Sequence, residues 1–66
     1  MNNNIKELRE LKGYSQEDLA KKLGVSRQTI ISIEKNRFNP SLPLAMQISK
    51  IFDTYVENIF VLDEKN

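Results

Sequence analysis

Neither cysteine nor histidine occurs among the 66 residues. Without cysteine there can be no disulfide framework, no thiolate zinc site and no thiol nucleophile. Without histidine the usual general base and the commonest metal ligand are missing as well. The remaining carboxylates are scattered along the chain, and no acid/base pair converges. No apolar run is long enough to span a bilayer. The opening Met1-Asn2-Asn3-Asn4 has neither the basic nor the apolar region of a secretory signal. Only two glycines and two prolines occur, and with so few breakers among many Leu, Glu, Lys and Gln residues the chain favours helices. At this length it is expected to form one small cytoplasmic domain over residues 1–66, with about 60% of its unfolded surface buried. It is expected to bind rather than catalyse, with no metal, no cofactor, no membrane contact and no evident small-molecule ligand.

The charges that are present are unevenly placed. Residues 21–50 carry Lys21, Lys22, Arg27, Lys35, Arg37 and Lys50 against Glu34 alone, whereas residues 1–20 and 51–66 are each net acidic. A basic centre between acidic ends points to an anionic partner met by the central segment. The plainer alternative is a solvated surface with chance clustering.

Helical periodicity and cap residues divide the chain into five helices. The first spans about Asn4 to Lys12, with Ile5, Leu8 and Leu11 at helical spacing and Gly13 as a terminator. The second starts at Ser15, an N-cap residue supported by Asp18 three positions later, and stops at Gly24. The third starts at Ser26 and runs to about Asn36. At 100° per residue Ile30 and Ile33 share one side, Gln28, Ser32 and Lys35 lie opposite, and Arg27 and Ile31 flank them. Gly24-Val25-Ser26 is so short a connection that the second and third helices must cross steeply. After the loop Arg37-Phe38-Asn39-Pro40, Ser41 caps a fourth helix whose stripe is Leu44, Ile48, Ile51 and Phe52. Asp53 breaks that pattern, and Thr54 with Glu57 reads as a capping box for a short fifth helix carrying Val56 and Ile59. Phe60-Val61-Leu62 is too short for another helix and is compatible with a short strand. Asp63-Glu64-Lys65-Asn66 is expected to fray. The expected core holds Leu8, Leu11, Leu19, Leu23, Ile30, Ile33, Leu44, Ile48, Phe52 and Ile59, with Tyr14 covering the first turn.

The stretch from Gln16 to Glu34 carries the functional signal. Ala20 is small where the helices approach closely, Gly24 permits the sharp turn, and Val25, Ile30 and Ile33 turn inward. A polar, basic helix face is left outward on a steep helix pair, a geometry that lets one helix enter a DNA major groove while the other crosses the backbone. The register of Gln16, Leu19-Ala20, Leu23-Gly24-Val25-Ser26, Ile30 and Ile33-Glu34, followed by Asn39-Pro40-Ser41, resembles the helix-turn-helix of phage-repressor-like regulators, the Cro/CI or Xre-like family. The resemblance covers residues 5 to about 60, with the helix-turn-helix itself at 16–35.

The resemblance implies an all-α, five-helix, lambda-repressor-like domain that binds double-stranded DNA. It implies that Gln16 contacts a phosphate at the start of the second helix. Arg27 and Gln28 would meet base edges, Arg on guanine and Gln on adenine. Ser32 matches a further base-contacting position, although it is short where some relatives carry an amide. Asn36, Arg37 and Asn39 match a loop that follows the phosphate backbone, with Asn39 toward the minor groove. Ser26 is first an N-cap and only secondarily a phosphate ligand. Thr29 stands between phosphate contact and packing, and Ile31 between an ordinary exposed side chain and a thymine-methyl contact. Lys35 is read as a phosphate neutraliser. Arg9 and Glu34 resemble the family's ion pair between the first helix and the end of the recognition helix.

The function so implied is a transcriptional regulator of the nucleoid, a repressor binding a palindromic operator as a homodimer. A protein-interaction module that caps a toxin is the alternative of a different class, to be told apart by the neighbouring gene. Residues 54–66 are the expected dimerisation segment, with Tyr55, Ile59, Phe60, Val61 and Leu62 more apolar than a core of this size needs. The competing possibility folds Phe60 and Leu62 back on the same chain, as a strand against Asn2–Ile5.

Overall fold

A computed structural model describes residues 1–63. Within them the chain forms β1 (Asn2–Asn3), α1 (Ile5–Leu11), α2 (Gln16–Leu23), α3 (Arg27–Glu34), α4 (Leu42–Phe52), α5 (Val56–Ile59) and β2 (Phe60–Val61). The two short strands pair antiparallel, with Asn2 opposite Val61 and Asn3 opposite Phe60. The architecture is therefore a helical bundle closed by a minimal ribbon.

Serine hydroxyls start three of the helices. Ser15 Oγ accepts the Asp18 N–H at 3.0 Å while Asp18 accepts the Ser15 N–H at 2.9 Å, a complete capping box. Ser26 Oγ accepts the Thr29 N–H and Ser41 Oγ the Leu44 N–H. The fifth helix departs from the expected pattern. It begins at Val56 after Tyr55, with no side-chain cap, so the Thr54–Glu57 capping box is not formed. Thr54 is needed elsewhere: its N–H bonds to the Ser49 carbonyl to close α4, and its hydroxyl accepts from Asn58.

The core is centred on Ile5, Leu19, Ile30, Ile33, Ile48 and Ile59, all fully buried. Leu23 and Phe52 join it as expected, Leu8 and Leu44 are half-buried against it, and Tyr14 packs at its edge. Leu11 does not belong to it, being 83% exposed. The spacing of three and then three more explains this, because Leu11 lies about 120° around the helix from Ile5. The inner position on that turn is taken by Arg9, which is buried.

Ile59 and Phe60, expected on a dimer surface, are buried in the chain's own core, at 0% and 8% exposure. The physical reason is the β1–β2 pairing, which draws Phe60 inward opposite Asn3. Leu62 does not follow it and stays exposed. Asp63 is held by the Met1 amine at 3.0 Å, so the expected fraying does not begin there. Residues 64–66, where the rest of that expectation falls, lie outside the described residues.

Candidate nucleic-acid interface

The α2–α3 pair supplies the frame. Gly24, with φ of +71°, lets the chain turn between them in three residues. Ile30 and Ile33 face the core, which leaves Arg27 and Gln28 exposed at the N-terminal end of α3. Ser32, one turn after Gln28 on the same face, is half-buried, as are Thr29 and Ile31. Ser26 and Lys35 are exposed at the two ends of the helix, and Arg37 and Asn39 are exposed on the loop beyond it.

A buried polar network fixes this pair against α1. Arg9 Nε donates to Glu34 Oε2 at 2.8 Å and a terminal nitrogen donates to Glu34 Oε1 at 3.3 Å, a bidentate contact. The other terminal nitrogen donates to the Tyr14 carbonyl at 2.9 Å. The Glu34 hydrogen bond holds the Arg9 guanidinium above its ordinary pKa. Gln16 Nε2 joins the same carboxylate at 3.2 Å. One carboxylate at the end of α3 thereby gathers α1, the first turn of α2 and the residue expected to meet phosphate. Arg9, Ser15, Gln16, Glu17 and Arg27 line a notch beside that network. It opens at the N-terminal end of α2, whose unpaired N–H groups favour an anion.

The end of α3 is tied down in a second way. Asn36 adopts φ of +61°, and the N–H groups of Asn36 and Arg37 bond to the Ile33 and Ser32 carbonyls, the Schellman pattern. Its side chain is also engaged. Asn3 Nδ2 donates to Asn36 Oδ1 at 3.0 Å and to the Ile33 carbonyl at 2.9 Å, and Asn36 Nδ2 donates to Asn2 Oδ1. Asn36, expected along the phosphate backbone, is exposed, terminates α3 and joins it to β1.

A family model described as helix-turn-helix matches residues 5–58. The chain belongs to this helix-turn-helix family. It is similar to the uncharacterized HTH-type transcriptional regulator MJ0272 of Methanocaldococcus jannaschii, 55% identical over 64 residues and covering 97% of each chain. The regulator YgzD of Bacillus subtilis is 50% identical over all 66 residues, covering 100% of both. The Bacillus subtilis regulator SinR is 41% identical over 63 residues, which are 94% of this chain and 55% of SinR. Among solved structures, the restriction-modification controller protein C.AhdI from Aeromonas hydrophila superposes with a TM-score of 0.75 at 32% identity over 85% of each chain. SinR in complex with DNA gives 0.72 at 41% identity, covering 80% of this chain and 86% of that one. The protein is accordingly a transcriptional regulator with a helix-turn-helix DNA-binding fold, and not an enzyme.

Two features of this regulator's site escaped the sequence. The sequence offers Asn2 and Asn3 only as a strand partner for the C-terminal segment, and their pairing with the end of α3 needs contacts across 30 positions or more. The sequence places Phe38 in a loop without a role, yet it stands beside Gln28, Thr29 and Ser32. A lone aromatic among basic and amide residues was the available signal. No helix is long and apolar enough to cross a membrane among the described residues.

Proposed function

We propose that this regulator is a sequence-specific repressor that binds a two-fold operator as a dimer, with one α3 per half-site in the major groove. The outer face of α3 carries the reading: Arg27 and Gln28 stand exposed at its N-terminal end, beside the anion-favouring start of α2. Gln28 reads an adenine edge and Arg27 a guanine edge. Gln16, Ser26, Thr29, Lys35 and Arg37 position the phosphate backbone, Asn39 approaches the minor groove, and Ile31 and Ser32 complete the face. SinR, a relative over nearly the whole chain, has been solved in complex with DNA. The chain acts as one domain over 1–66 inside the cell, at the nucleoid, and represses by occupying its operator. Its dimer surface is Tyr55, Val61 and Leu62, the exposed part of the C-terminal segment.

Selection of bound sites from random duplex DNA tests this directly. The expected product is an inverted repeat with half-sites one helical turn, roughly 34 Å, apart. Gln28→Ala should then cost about 1–3 kcal/mol on the selected site and little on random DNA. Arg37→Ala should weaken both and lower the salt slope by about one. Equal loss on both DNAs for Gln28→Ala would make that residue a backbone contact, and no enriched duplex at all would refute the function.

A further inference from the structure

We propose that Phe38 is a specificity-determining residue whose ring forms, with the outer face of α3, a notch for the 5-methyl group of a thymine. The inference rests on the reading that α3 enters the major groove. Phe38 and Ser26, Gln28, Thr29 and Ser32 line one open concavity. The loop is pinned there, because the Arg37 N–H bonds to the Ser32 carbonyl at 2.9 Å and delivers the next residue beside Ser32. The ring is 48% exposed and takes no part in the hydrophobic core. Its neighbours in the loop, Arg37 and Asn39, are polar and exposed, so burial does not explain an aromatic at this place.

The chemistry of the notch selects its occupant. Ser26 Oγ and Thr29 Oγ1 lie 3.0 Å apart and bond to each other, which engages their hydroxyls with one another. Ser32 is short, so the space beside the ring stays open. The concavity is thus walled by an aromatic ring and small side chains, next to Gln28. In the major groove the only apolar group a base pair offers is the thymine methyl. A Gln28–adenine contact would bring base edges to the same place.

Scanning the selected operator with uracil in place of each thymine, against wild type, Phe38→Ala and Phe38→Leu, tests the notch. At one thymine per half-site, uracil should weaken wild type about fourfold, the worth of one buried methyl group. Phe38→Ala should bind the thymine operator more weakly by a similar factor and bind thymine and uracil operators alike. Phe38→Leu, which keeps an apolar wall, should retain part of the preference. The melting temperatures should match wild type, since the ring is outside the core. If uracil is tolerated by wild type everywhere, or if Phe38→Ala weakens every duplex equally, the proposal is overturned while α3 keeps its role. Absence of any enriched duplex would instead remove the underlying reading of α3.

Discussion

Folding places the charged side chain of Arg9 under cover, and its three acceptor atoms explain why the position tolerates it. Neither partner of the Arg9–Glu34 pair keeps more than 10% of its side chain exposed. Truncating one partner strands the other as an uncompensated buried charge, which costs about 3–5 kcal/mol. Arg9→Met is therefore expected to lower the urea midpoint sharply, and Arg9→Met with Glu34→Leu to recover most of the loss. A double variant as unstable as the single would show that shape, not charge, governs the site. Asp18 is the acid-side counterpart. Hydrogen bonds from the Ser15 backbone and hydroxyl hold its carboxyl below the ordinary range. Its contribution is thus full above the unfolded pKa of about 3.9 and fades as pH falls through the lowered folded value. Asp18→Asn should lower the neutral-pH plateau of a stability–pH curve and flatten this part of its acid limb.

At the scale of the element, four helices end by one device. Gly13, Gly24, Asn36 and Asp53 each adopt a left-handed φ, between +52° and +76°, while paired N–H groups fold back on the last turn. Asp53→Ala is expected to cost about 1 kcal/mol, because a Cβ without a local polar partner resists that conformation. Asp53→Gly should cost nothing, and thermal melts of the two variants give the order. The sequence places all four helix ends close to these residues; it announces the left-handed turn only at the two glycines, since asparagine and aspartate also suit ordinary turns and exposed helix positions. The same contrast runs through the core and the site. Leu19, Ile30, Ile33 and Ile48 were legible because helical spacing alone decides their face. Leu11 was misread because a spacing of three drifts off the stripe. Gln28 was legible as a position opposite that stripe and Arg27 as one flanking it; both are exposed. The engagement of Asn36 was not, since its partners lie some 34 positions away and no local pattern signals them.

At the scale of the molecule, charge and exposed apolar surface are unevenly placed along the chain. Six of the ten basic residues fall in residues 21–50, on α2, α3, the loop after it and α4. Tyr55, Val61 and Leu62 stay exposed, at 76%, 55% and 76%, next to a core that has already absorbed Ile59 and Phe60. A second copy is the occupant that the proposed two-fold operator binding calls for. Replacing Val61 and Leu62 by Asp should leave helical content intact, give a monomer in sedimentation and sharply weaken the two-half-site operator. A wild type that sediments as a monomer at tens of micromolar and binds one half-site as well as two would exclude the dimer.

The β1–β2 pairing also sets a timetable. It joins Asn2 and Asn3 to Phe60 and Val61, the most distant positions that any regular element brings together in this fold. Its loop-closure cost exceeds that of any helix, and two residues per strand give it little with which to offset that cost. It is therefore expected to close late in folding and, in the native state, to open ahead of the helices. Because Asn3 also holds the Ile33 carbonyl, each opening slackens the C-terminal turn of α3. In amide exchange the Asn4 N–H, bonded to the Ile59 carbonyl, should therefore lose protection with the turn around Asn36 and Arg37, sooner than the amides of α2. The reading helix would then carry a clock of its own, faster than global unfolding and wound by three asparagines.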